Sequence, residues 1–224
     1  MNFITLAFIS LISFSVFSLE VPQLTGPVVD NASIFSPLEK NTLEKKIRLF
    51  KKKNGAQIQV LTIESLDGES LEDFTIEVVD KWKLGDEERD DGLLIFLSKK
   101  DRKVRIEVGD GLEGVITDYR SSQVIELMVP YFKNGSYAKG LTAGALTIMK
   151  LIRGENPDLP KGKKKKENPL TTLIFFIFVI FFGIFGRRRT GFSGGYSSFD
   201  SSGSSSSWGG GGGSFSGGGS SGSW

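Results

Sequence analysis

The chain of 224 residues has no cysteine and no histidine. Those two absences exclude a disulfide framework, a thiolate nucleophile, a Ser-His-Asp triad, and zinc, haem or copper sites of the usual ligand types. Any metal is therefore a hard cation held by oxygen. A chain without cysteine is compatible with reducing and oxidising surroundings alike, so its compartment is not read from this count. Proline is scarce at 7, whereas glycine reaches 28 and gathers at the C-terminal end. That end is set aside before the globular part is judged.

Residues 1–18 form an apolar run that reads as a signal peptide, the alternative being an uncleaved signal anchor. A second run, Leu170–Gly186, holds no charge. Seventeen residues at ~1.5 Å each cover roughly 25 Å, enough for a transmembrane helix with snorkelling flanks. Lysines at 161 and 163–166 precede it, and Arg187–Arg189 follow it. Loop charge alone would keep the lysine side in the cytoplasm, but a functional signal sequence overrides it. The expectation is a single-pass protein of the cell membrane, with an extracytoplasmic (periplasmic or extracellular) domain and a cytoplasmic tail. Residues 187–224 include 13 Gly and 14 Ser, punctuated by Phe192, Tyr196, Phe199, Trp208, Phe215 and Trp224. Such a segment lacks the apolar content for a packed core and is expected to be a disordered spacer. The alternative is a sticky low-complexity tail whose spaced aromatics engage a partner.

Between the two runs lie a domain, residues 19–156, and a basic linker, 157–169. Leu19 to Pro160 carries 20 Lys+Arg against 24 Asp+Glu, so the overall charge of +2 conceals an acidic domain beside a basic collar. No nucleic-acid role is expected on that balance. The lysine run suits anionic headgroups, which makes the membrane itself a partner.

Ser36-Pro37-Leu38-Glu39 carries three helix-start signals, and the helix should end at Asn54 with Gly55 after it. Its apolar face is Leu38, Leu43, Ile47 and Phe50. Ile58–Ile63 reads as a strand, and Ser70 opens a helix through Trp82, closed by Gly85. Leu93–Leu97 and Val104–Val108 bracket a polar turn and form a hairpin, the second strand alternating like an edge strand. Two helices follow, one after Thr117 or Asp118 and one over 136–153. The economical solution is α/β: an α/β/α sandwich around a small mixed sheet of three or four strands.

A hairpin returns the chain to its starting end. The loops 86–92 and 109–114 therefore lie side by side, and Asp90, Asp91, Asp110, Glu113 and Asp118 can converge at one edge of the sheet. Crowded carboxylates raise one another's pKa or bind a cation, with Ca²⁺ the first candidate and Mg²⁺ the second. The alternative is ordinary turn and capping chemistry. Gly109-x-Gly111-x-x-Gly114 matches the dinucleotide fingerprint, but the strand before it belongs to an antiparallel hairpin, and Asp110 and Glu113 would oppose a pyrophosphate. No dinucleotide is expected; the glycines serve close loop packing.

The residues Val29-Asp30-x-Ala32, Phe35-Ser36, Gln57-Ile58-x-Val60, Trp82-x-x-Gly85, Asp90-x-Gly92-Leu93-Leu94, Asp101-Arg102-Lys103, Gly111-Leu112-Glu113-Gly114 and Thr117-Asp118 resemble the TPM-domain family over about Val21 to Arg153. The resemblance implies an α/β/α sandwich, in some relatives with Ca²⁺ on the acidic loops and in a plant relative with acid phosphatase activity. It carries over Asp30, Asp90, Glu113 and Asp118, while Asp91 stands where the family usually has Asn and Asp110 where an aromatic is common; Asp30, Asp90, Asp91, Glu113 and Asp118 are the expected metal ligands. The expected function is a membrane-anchored, Ca²⁺-binding module in envelope protein maintenance or assembly, with an unidentified protein partner. Two alternatives stand beside it: a metal-dependent acid phosphatase, for which Arg89 and Arg120 are the nearest cations, and a scaffold acting through its tail.

Overall fold

Ser36 caps the first helix through a complete capping box with Glu39, with Pro37 in the first turn and Gly55 at the C-cap. The structure is a computed structural model describing residues 19–161, 208 and 211–224. In chain order the elements are β1 (Val28–Asp30), α1 (Pro37–Asn54), β2 (Gln57–Ile63), α2 (Leu71–Trp82), β3 (Gly92–Ser98), β4 (Lys103–Val108), α3 (Asp118–Lys133), α4 (Tyr137–Ile152) and β5 (Gly218–Ser223). A single 3-10 turn, Asp110–Leu112, lies between β4 and α3.

The sheet has five strands in the order β1-β2-β3-β4-β5. β1, β2 and β3 are parallel, whereas β4 pairs antiparallel with β3 and β5 antiparallel with β4. Alternation along the strands divides the core in two. Ile58, Val60, Leu93, Ile95, Val104 and Ile106 face α1, α3 and α4. Leu61, Ile63, Leu94 and Phe96 face α2 through Phe74, Val78 and Trp82. The α/β/α sandwich follows.

Several local expectations are corrected. Leu38 is 77% exposed, because it sits in the first turn of α1 on the side away from Leu43 and Ile47. α2 ends on Lys83 in the left-handed conformation, with Gly85, also at positive φ, two residues further on. β1 is a strand of three residues, too short to carry a period.

The largest correction concerns the end of the chain. Residues 218–223, expected to be disordered, form β5 in register on β4, with Gly222 opposite Val104 and Gly218 opposite Val108. Gly/Ser segments cannot build a core of their own, but an exposed strand edge supplies a ladder to which they contribute only backbone. β4 accordingly is interior, not an edge. The expected signal peptide (1–18), the transmembrane run (170–186) and the first part of the tail lie outside the described residues. Among the described residues no helix is long and apolar enough to cross a membrane.

Candidate functional site

The N-terminal ends of β2 and β3 and the C-terminal end of β4 meet at one end of the sheet. Here the loops 84–92 and 109–114 abut as the hairpin requires: Gly109 N–H donates to the Gly92 carbonyl at 2.8 Å, and Gly111 N–H to the Asp90 carbonyl at 3.1 Å. A Cβ at Gly109 or Gly111 would strike the carbonyl oxygens of Asp90 and Arg89. Close loop packing is thus what these two glycines serve, while Gly114 has open space around it.

Asp90, Asp110, Glu113 and Asp118 line this end and continue along the open side of β4. Each is engaged by the C-terminal segment. Ser214 N–H donates to Asp90 Oδ1 at 2.5 Å, Ser216 N–H to Asp110 Oδ1 at 2.9 Å, and Gly219 N–H to Asp118 Oδ1 at 2.8 Å. The Ser216 hydroxyl reaches Glu113 Oε1 at 3.4 Å, and Asp110 N–H returns a bond to the Ser214 carbonyl at 3.2 Å. Hydrogen bonds from the Ser216 hydroxyl and N–H hold the Asp110 carboxyl below its ordinary value. A carboxylate has only acceptors, and a strand presents N–H groups, so the rim and the segment are complementary.

The segment is fixed along its length. Trp208 lies beside α1, its indole N–H donating to the buried Gln59 Oε1 at 2.8 Å and its ring facing Arg48 and Lys51 at 4.8 and 5.0 Å. Gly212 N–H donates to the Lys83 carbonyl, Phe215 packs against the α2-side core, and Trp224 sits 4.7 Å from the Phe132 ring and 6.0 Å from that of Tyr137. The C-terminal residues thus form a strap around the acidic end and up the edge of β4.

Under the strap lies a buried ion pair, on the strand whose alternation reads as an edge. Arg105 is 8% and Glu107 1% exposed. The guanidinium binds Glu107 through Nε and, at 3.0 Å, through Nη2, and Thr75 Oγ1 donates to Glu107 at 2.6 Å. Arg105 Nη1 donates outward to Ser221 Oγ at 2.8 Å, and Ser221 in turn donates to Glu72 Oε1 at 2.8 Å. Burial pushes the Glu72 carboxyl up, but the Ser221 bond and the Arg105 charge outweigh it and leave it lowered.

The five acidic residues expected to gather do not all do so. Asp30 ends β1 opposite Thr62, which pairs with Leu97, so it lies five strand positions, about 16 Å, from the end marked by Gly92. Its carboxylate caps its own turn, accepting from Ile34 N–H at 3.0 Å, Phe35 N–H at 2.9 Å and Thr62 Oγ1 at 2.5 Å. Asp91 is turned into its loop, bound to Arg89 Nε at 2.8 Å and Asp86 N–H at 3.1 Å. The remaining carboxylates form a row along residues 214–219, the approach to β5 and its first rungs, instead of a shell. Among the described residues no group of three or more is placed to hold a metal ion, so the residues as arranged do not fit the Ca²⁺ site that the family resemblance implies, nor the Mg²⁺ that the crowded carboxylates offered as second candidate. Arg89 is spent on Asp86 and Asp91, and Arg120 Nη1 donates to the Val115 carbonyl at 2.7 Å. What sequence reasoning missed is the strap; a run of Gly and Ser with a closing Trp, beside a strand carrying Lys103, Arg105 and Glu107 at alternate positions, was the available signal.

A family model for the TPM domain matches residues 28–151, more than half of the chain. Among solved structures, the N-terminal domain of a protein from P. gingivalis, determined by solution NMR, is 33% identical, with a TM-score of 0.56 over 60% of this chain and 89% of that one. The BA42 protein from the psychrophilic bacterium Bizionia argentinensis is 20% identical, with a TM-score of 0.49 over 56% of this chain and 86% of that one. No curated protein matches. The chain belongs to the TPM domain family.

Proposed function

We propose that this TPM domain is a non-catalytic binding module whose ligand is an extended backbone strand added to the edge of β4, and whose resident ligand is the chain's own C-terminal segment. The observation that carries this reading is the one-to-one match between tail N–H groups and rim carboxylates: Ser214 with Asp90, Ser216 with Asp110, Gly219 with Asp118. Strand addition draws affinity from the main-chain ladder, and here charge-assisted bonds reinforce it. The two arginines nearest the rim are already engaged, which favours binding over phosphoryl transfer.

The module acts at the membrane, held there by the apolar run 170–186 between its basic collars. A tail docked on its own domain shares that domain's side of the membrane. Docking in this form and a cytoplasmic tail beneath an extracytoplasmic domain therefore exclude one another.

The natural absence of cysteine makes a direct test available. Lys103 and Ser223 are register partners across β4 and β5, and opposed residues of an antiparallel pair have Cα atoms about 4.5–5.5 Å apart, within disulfide range. In the full chain, Lys103→Cys with Ser223→Cys should form an intrachain disulfide under mild oxidation, whereas Lys103→Cys with Ser220→Cys should form it far more slowly. Equal rates for the two pairs, or none for the first, would overturn the reading.

A further inference from the structure

The strap is rich in glycine, but only some of its glycines are required, and the requirement has a register. A Cβ on Gly218, opposite Val108, would take the place of the Glu113 carboxylate, a flexible end that would have to swing away from the Ser216 hydroxyl, so this position is the most tolerant of the three. On Gly219, opposite Glu107, a Cβ would collide with the Ile106 carbonyl oxygen, and the φ of +127° already lies where L side chains are strained. On Gly222, opposite Val104, it would meet Ile125 Cγ2 at 2.5 Å, because β5 is laid directly on α3. Gly212 and Gly217 have nothing within 4 Å of such an atom, but their φ of +100° and +88° hold the bends before β5, whereas Ser220, Ser221 and Ser223 carry their side chains within the ladder itself. Two positions past Gly222, Trp224 fills the place between Phe132 and Tyr137.

Resting on the strand-addition reading above, we infer that the β4 edge is a sequence reader: it takes the pattern Gly-Gly-x-x-Gly-x-Trp, at the positions of Gly218, Gly219, Gly222 and Trp224. The steric wall is made by α3 and the β4 backbone, the ladder supplies affinity, and the aromatic cradle sets the register. The pattern Gly-Gly-x-x-Gly-x-aromatic also occurs nine residues earlier, at Gly209, Gly210, Gly213 and Phe215. The cradle holds Trp224, and Phe215 lies instead beside Gly92. The ligand class is therefore an extended peptide with that glycine spacing and an indole at its end. The chain's own tail is its occupant, and a peptide of the same pattern supplied in trans competes for the edge.

The disulfide between Lys103→Cys and Ser223→Cys in the full chain reads this directly. Adding Gly219→Ala or Gly222→Val should slow its formation roughly tenfold or more, since overpacking against a fixed wall costs binding, while Ser220→Ala should leave it unchanged. A synthetic peptide spanning Ser216–Trp224, added in excess, should slow the parent disulfide, and the same peptide with Gly219→Ala should not. If the parent disulfide forms and the glycine variants match Ser220→Ala, the sequence reading is wrong and strand addition stands. If the parent disulfide does not form, strand addition itself fails.

Discussion

The backbone N–H of Gly219 meets the carboxylate of Asp118 at 2.8 Å, across 101 positions of sequence. Asp118 is in the first turn of α3, where a carboxylate also complements the helix dipole. One oxygen thus tethers the last strand to the helix that walls it, and the acidic rim becomes a set of acceptors for a strand.

Removing an acceptor should release the strap in proportion to one exposed, charge-assisted hydrogen bond. Asp110→Ala and Asp118→Ala are each expected to accelerate amide exchange over Gly218–Ser223 by roughly three- to tenfold. Asp30→Ala, at the other end of the sheet, should weaken the turn at 30–35 and leave tail exchange alone. Equal effects of Asp30→Ala and Asp118→Ala on the tail would contradict the geometry.

Acid should undock the tail. The Asp110 carboxyl is held below its ordinary value by Ser216, so it favours the docked state at neutral pH and loses that contribution as pH falls through its lowered value. The Trp224 indole resonance, followed by NMR from neutral pH downward, should move to its free-peptide position in that acid range. Release on raising the pH instead would reverse the sign and contradict the account.

The ion pair beneath the strap should be costly to break and inexpensive to replace. Arg105→Ala leaves Glu107 charged at 1% exposure, and urea unfolding should show a loss of about 3–5 kcal/mol. The double variant Arg105→Met with Glu107→Leu should recover most of that stability. It should still dock the tail less well than the parent, because the Arg105 bond to Ser221 is gone.

Chelation addresses the rim itself. With Asp90, Asp110 and Asp118 each committed to a backbone N–H, a chelator should leave the thermal midpoint and the tail's exchange unchanged. A cation bound to the native state at a hundred times its dissociation constant would add about 2.7 kcal/mol, a shift of several degrees. A fall of that size on chelation would show that a cation belongs to the folded rim.

Much of this was legible in the chain before any coordinates. Ser36 and Glu39, Ser70 and Thr117 announced three helices because caps are local chemistry, and the hairpin 92–108 predicted which loops would touch. The acidic end was found by that argument, apart from Asp30. Its motif position suggested a common site, but parallel pairing with β2 carries it to the opposite end of the sheet. The strap escaped because its strand character resides in β4. Glycine and serine have little preference of their own for strands, and what selects their conformation is the edge of β4, distant in sequence, that they meet.

Hydrogen exchange over Gly218–Ser223 in the intact chain at neutral pH tests the central claim most directly. The account predicts that ladder amides of these six residues exchange roughly a hundredfold or more slowly than in the free peptide, together with the facing amides of Lys103–Val108. Exchange of the tail at free-peptide rates, with β4 behaving as an open edge, would contradict it.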